Sequence, residues 1–202
     1  MTTVAELPAG FADKVLSAQS TFRSVMDAMA RPGTVQRITA VAGTPAAMMR
    51  GTAAFALTLF DHDTPIWLDE RMSETSEVTK WLKFHTSAPV IADSAVSSFA
   101  LIGHPRELAS LDRFAFGSNE YPDRSTTLIL QVESLTQGPA IGLRGPGIDG
   151  QAILQAMIQP PDLFERLEVN VSLFPRGIDV VLVHDDAIVA IPRTTRLVPR
   201  GG

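Results

Sequence analysis

Thr126-Thr127-Leu128-Ile129-Leu130-Gln131-Val132-Glu133 is the stretch on which the fold turns. It is the strongest strand in the chain: a short apolar run, rich in β-branched residues and closed by polar ones. Downstream, Ala140 to Leu143 reads as a continuation of the sheet. Asp149 reads as the N-cap of a helix through Ile158, and Pro160-Pro161-Asp162 opens another. Asp179 to Val183 and Ala187 to Ile191 read as a β-hairpin turning through His184-Asp185-Asp186. Upstream, residues 11 to 30 carry Phe11, Val15, Ala18, Phe22, Val25, Met26 and Met29 at helical spacing, stopped by Arg31-Pro32-Gly33. Thr34 to Ile38 reads as a short strand. Thr44-Pro45 opens a second helix that runs to about Phe60. Ile66-Trp67-Leu68 is a strand, Ser73 to about Phe84 a third helix, Pro89 to Ala92 a buried strand and Ser98 to Ile102 another. Pro105 to Leu111 is a short helix. Strands and helices alternate with no composition break and no repeat, which predicts one α/β domain over 1–202, three layers around a mixed sheet.

Composition narrows the chemistry. Of 202 residues, 45% are apolar and 19% charged, and the net charge is −5. The only lysines are Lys14, Lys80 and Lys83 and no basic run exists, so no nucleic-acid surface is expected. With no cysteine, thiol nucleophiles, cysteine-held zinc and iron–sulfur clusters are excluded. No secretory signal is read in Met1 to Gly10. No apolar run approaches the ~20 residues that span a bilayer, so no membrane partner is expected. Leu197-Val198-Pro199-Arg200-Gly201 reads like a protease cleavage sequence, native or appended.

Several segments carry polar groups suited to chemistry. In Leu143-Arg144-Gly145-Pro146-Gly147-Ile148, two glycines around a proline set one tight backbone shape, and Arg144 adds a planar donor fork. The loop reads as a rigid strand-to-helix corner or as an anion cradle. Asp61-His62-Asp63 reads first as an Asx turn; a divalent cation between Asp61 and Asp63 is the other reading. His85 reads as a helix C-cap or as a general acid–base group. Arg124 and Ser125, in the polar loop before the strong strand, face a turn or a ligand at the sheet end. Arg193 and Thr194, in Pro192-Arg193-Thr194-Thr195-Arg196, suit an anion or a solvated strand. No Walker A loop, G-x-G-x-x-G or G-x-S-x-G is present.

Taken as an ordered set, seven segments resemble one family. They are Phe22 to Gly33, Leu57 to Pro65, Phe84-His85-Thr86, Pro122 to Thr126, Leu143 to Ile148, Phe174 to Asp179, and Pro192 to Thr195. The set resembles the PhnH family of phosphonate metabolism, whose members are subunits of the bacterial carbon–phosphorus lyase core complex. The resemblance implies partner subunits G, I and J, with L associating transiently, and a homodimer when isolated. It implies support for forming ribose 1-phosphonate 5-triphosphate from ATP and a phosphonate, with adenine released, in the cytoplasm. It also implies a fold similar to the large domain of pyridoxal-phosphate-dependent transferases, without the cofactor. No lysine is placed for a Schiff base, and a radical cleavage step must lie on a subunit with cysteines.

Two readings follow. The chain is a non-catalytic or site-supporting subunit, or it holds its own site with His85, Asp61 and Arg144 as candidates. Arg31, Arg124, Ser125, Gly145, Gly147, Arg193 and Thr194 are the substrate- or partner-facing candidates, and no metal or cofactor is expected. An unrelated small-molecule binding domain is the third reading, which needs an accidental match.

Overall fold

A computed structural model describes residues 7–38, 41–108 and 110–198. In chain order the elements are β1 (Gly10–Phe11), α1 (Lys14–Ala30), β2 (Gln36–Arg37), β3 (Val41–Gly43), α2 (Arg50–Leu59) and β4 (Ile66–Leu68). There follow α3 (Glu70–Ser73), α4 (Ser76–Thr86), β5 (Val90–Ile91), β6 (Phe99–Ile102), β7 (Thr127–Gln131), β8 (Ala140–Arg144) and β9 (Ala152–Gln155). The chain closes through α5 (Leu163–Ser172), β10 (Asp179–His184), β11 (Ala187–Ile191) and β12 (Arg196–Val198). It is a mixed α/β fold. A seven-stranded sheet runs β2-β11-β10-β7-β6-β4-β5, parallel from β10 to β5 and antiparallel at β11 and β2.

The strong strand lies at the centre of that sheet, and its alternation divides the core. Ile129, with Leu101, Val181, Val183 and Ile188, faces the side covered by α1, α2 and α4. Leu128 and Leu130, with Ile102, Val180, Leu182 and Val189, face the opposite side. A parallel strand buried on both faces is apolar at successive positions, as Leu128-Ile129-Leu130 is. The second side is covered by a separate three-stranded antiparallel sheet, β12-β8-β9, together with α5.

The third layer departs from the sequence expectation. Ala140 to Leu143 does not extend the main sheet, and no helix spans 149–158. Gly147 and Gly150 take φ of +81° and +67°, which reverse the chain, and β9 returns along β8 with Leu143 opposite Ala152. Ala152 and Leu154 then turn inward while Ile153 and Gln155 turn out, a period of two rather than 3.6.

Smaller departures have local causes. The second helix begins at Arg50, not at Pro45, because the Thr44 hydroxyl bonds the Met48 carbonyl at 3.0 Å and residues 45–48 close a turn. The helix expected from Ser73 begins at Ser76 with Thr75 as its cap, and a separate short helix, α3, capped by Asp69, ends at Ser73. In place of the helix expected over Pro105 to Leu111, the described residues form a 3₁₀ turn at Pro105–Glu107 and another at Leu111–Arg113. Val90 and Ile91 form a half-buried edge strand rather than a buried one. On α1, Thr21, Val25 and Ala28 are buried, whereas Val15, Phe22 and Met26 of the predicted stripe are 65%, 47% and 51% exposed. The signal-peptide reading falls partly, and the tail reading largely, on residues 1–6 and 199–202, outside the described residues.

Candidate functional site

The signature segments meet first at the N-terminal edge of the parallel strands. Ser125 lies two residues before β7, Asp179 begins β10, and Arg193 lies two residues after β11. The Arg193 Nη2 donates to Asp179 Oδ2 and Ser125 Oγ, both at 2.5 Å, and Nε donates to the Asp179 carboxylate at 3.2 Å. Nη1 donates to the carbonyls of Pro122 at 2.8 Å and Pro175 at 3.4 Å. Every guanidinium N–H has an internal acceptor, and the pair is only 13% and 15% exposed. The fork therefore ties three segments together and leaves no donor for an outside anion. This corrects the expectation that Ser125 sits where α/β folds hold ligands, since that is the opposite edge. Arg124 stacks over Tyr121 with its guanidinium carbon 4.3 Å from the ring centre.

The Gly145-Pro146-Gly147 loop is a second meeting point. A Cβ on Gly145 would lie 2.9 Å from the Thr194 carbonyl, and one on Gly147 would overlap the Ala30 carbonyl at the end of α1. Glycine is required there because backbone from two other segments occupies the space. Arg144 extends to Gln151 Oε1 at 3.0 Å and lies opposite Arg196 across β8 and β12. Neither has a carboxylate partner among the described residues, whereas Arg31 pairs with Asp27 at 3.0 Å.

Asp61 and His85 each serve a local purpose. Asp61 Oδ1 accepts from the Thr64 hydroxyl at 2.6 Å and the Asp63 N–H at 3.0 Å, an Asx turn. Those bonds, the hydroxyl foremost, hold its carboxyl below the usual range. His85 Nε2 donates to the Pro8 carbonyl at 3.0 Å, beside Trp81 Nε1 at 2.9 Å on the same oxygen. The imidazole lies against Trp81 and Phe84 and fastens the segment entering β1. No hydrogen bond or ion pair among the described residues joins Asp61, His85 and Arg144.

The crevice at the opposite edge was not selected from sequence. From β4 the chain crosses to β5 over the α4 face; from β6 it crosses to β7 in the other direction over the other face. The two directions diverge between β4 and β6, where an open α/β sheet leaves a cleft at its C-terminal ends. Asp69 ends β4 there, accepting the Met72 N–H at 2.8 Å and the His104 N–H at 2.9 Å. Burial pushes its carboxyl up, against the lowering effect of those donors. A cavity of about 210 Å³ lies over Asp69, Trp67 and His104, and one of about 380 Å³ lies beside it, outside β6 and β7.

A sequence model of the family described as bacterial phosphonate metabolism protein (PhnH) matches residues 9–198. The chain belongs to the PhnH family. It is 44% identical over 199 residues, 98% of each chain, to the Rhizobium meliloti protein named alpha-D-ribose 1-methylphosphonate 5-triphosphate synthase subunit PhnH. It is 28% identical over 204 residues, 99% of this chain and 97% of the other, to a Stutzerimonas stutzeri protein named putative C-P lyase subunit protein HtxG. The PhnH match covers both sheet edges and the third layer. Sequence reading singled out the N-terminal edge of this PhnH fold and passed over Asp69, His104 and Gln131. The available signal was a polar residue ending an apolar strand: Leu68-Asp69, Ile102-Gly103-His104 and Leu130-Gln131.

Proposed function

We propose that this chain is the PhnH subunit of a bacterial carbon–phosphorus lyase core complex and supports a site shared with other subunits. The single observation that carries this reading is the Arg193 hub. Three signature segments converge there on an internally saturated ion pair, so these three maintain a shape and offer no free cation. The name of the Rhizobium meliloti relative supplies the reaction: a synthase of alpha-D-ribose 1-methylphosphonate 5-triphosphate. Subunits G, I and J are the partners, with L joining transiently, in the cytoplasm. Among the described residues, no helix is long and apolar enough to cross a membrane.

A homodimer of the isolated chain is supported by the uncovered stripe on α1. The chain is read as one domain similar to the large domain of pyridoxal-phosphate-dependent transferases. Lys14, Lys80 and Lys83 stand on α1 and α4, away from both C-terminal-edge cavities, which fits a version of that fold that works without the cofactor. Arg144, Gly145, Gly147, Arg31, Arg124 and Thr194 are the candidates for contact with a partner or an anionic substrate. The unpaired Arg144 and Arg196 supply the positive charge.

Reconstitution tests the assignment. A complex rebuilt with Arg144→Ala is expected to lose assembly or adenine release, and one rebuilt with His85→Ala to lose stability before activity. Normal assembly and wild-type adenine release with Arg144→Ala would remove the corner from the shared site. A His85→Ala chain of unchanged stability that assembles but releases no adenine would favour the independent-enzyme reading.

A further inference from the structure

We infer that the free edge of β9 takes an extended segment of a partner protein as a fourth strand of the β12-β8-β9 sheet, and that this segment carries an apolar and an acidic residue on one face. The inference rests on the subunit reading above and names where on this chain, and through which contacts, a partner docks.

The sheet edges differ in how they are guarded. An exposed edge carries unpaired N–H and C=O groups, and proteins blunt it with charge, proline, short length or a covering element. The two larger sheets end at β2, β5, β12 and β9. β2 has two residues and carries Arg37, which pairs with Asp186. β5 has two residues and follows Pro89. β12 carries Arg196 and packs beside α5. β9 has four residues, Ala152-Ile153-Leu154-Gln155, with neither charge nor proline. It pairs with β8 alone, and among the described residues no hydrogen bond from outside that pairing reaches its backbone. Alternate residues of an antiparallel strand turn both backbone groups to the same side, so half of the β9 groups face away from β8.

The outer face beside this edge selects the chemistry of the segment. Leu154 is buried on the inner face, and Ile153 is half-exposed on the outer one. Gly142, opposite Ile153, presents no side chain, so the sheet is flat there. Arg144 and Arg196 lie directly opposite each other on β8 and β12, where like charges repel. Asp149, in the same hairpin as Arg144, and Glu168, which lines a groove of about 350 Å³ with Arg196, form no ion pair with either arginine among the described residues. The Arg144 guanidinium reaches instead to the neutral Gln151 Oε1 at 3.0 Å, which brings its charge to the β9 end of the face. Gln151 and Ile153 are two residues apart and share that face. On an added strand, an apolar residue fits beside Ile153 and an acidic one beside Gln151, where a carboxylate takes the remaining guanidinium donors. Main-chain bonds supply the affinity of such a pairing, and these two positions supply its selectivity.

The test follows hydrogen–deuterium exchange at single amides of the full chain, alone and in the complex rebuilt with subunits G, I and J. Alternate amides within Ala152–Gln155 are expected to exchange freely in the isolated chain and to slow at least tenfold in the complex. Ile153→Lys, which places a charge on the edge, is expected to keep the unfolding midpoint of the isolated chain and to lose assembly, while Ile153→Val retains it. β9 amides that exchange as fast in the complex as in the isolated chain would overturn the inference. So would normal assembly by an Ile153→Lys chain. Should that variant lower the midpoint, exchange in the wild-type complex decides alone. A wild-type chain that fails to join the other subunits would overturn the subunit reading and this inference together, whereas assembly with an unprotected β9 overturns this inference only.

Discussion

Arg193 shows how a residue suited to an anion becomes a structural tie. Its side chain is mostly buried, with Asp179 beside it and the Ser125 hydroxyl and two carbonyls completing the fork. Removing the cation leaves the Asp179 carboxylate without a compensating charge, which in buried pairs costs about 3–5 kcal/mol. Arg193→Met is therefore expected to lower folding stability by that amount in urea denaturation. Arg144→Ala, on the exposed rim, is expected to change it by less than about 0.5 kcal/mol. The two arginines look alike in sequence, each beside a glycine- or threonine-bearing turn. What separates them is the partner: Asp179 lies fourteen residues from Arg193 in the chain, in the neighbouring strand's pathway, and no local pattern marks that pairing.

At the scale of elements, the α2 N-terminus is the instructive case. Met49 is its N-cap, and its side chain makes no capping hydrogen bond; its sulfur accepts the Asp185 N–H at 3.4 Å instead. The acceptor comes from Gln131, eighty-two residues away at the end of β7. Gln131→Leu keeps the volume but leaves the Met49 N–H and the Thr52 hydroxyl unpaired. The expected loss is about 1–3 kcal/mol for the buried groups, with faster hydrogen exchange at the first turn of α2 and little change in α5. The same dependence explains why the helix start was misplaced: Thr44-Pro45 is a sound local start signal, and a distant glutamine sets the actual one. Residues 149–158 teach the converse. A helix N-cap signal at Asp149 was legible, but Gly147 and Gly150 bring the chain back beside β8, and pairing with an available edge outweighs a weak local preference.

For the whole molecule, α1 links fold to assembly. Its buried line of Thr21, Val25 and Ala28 sits on the core, while Val15, Phe22 and Met26 continue the apolar arc into solvent. Phe22→Gln with Met26→Gln is expected to leave the unfolding midpoint almost unchanged and to convert a dimer mass to a monomer mass in light scattering. An unchanged dimer would place the self-contact elsewhere. Much of the architecture was legible in advance. The alternation of strands and helices, the central strand, the hairpin at Asp179 to Ile191 and the stop at Arg31-Pro32-Gly33 all follow from periodicity and from proline and glycine geometry. These are properties of neighbouring residues, so the sequence by itself determined them, together with the exclusion of cysteine chemistry. Which apolar face is covered, which arginine is free and where a cleft opens depend on strand order and on contacts between distant segments. Only the tertiary structure decided those, because burial and charge pairing are energies between residues that the chain's order does not place together.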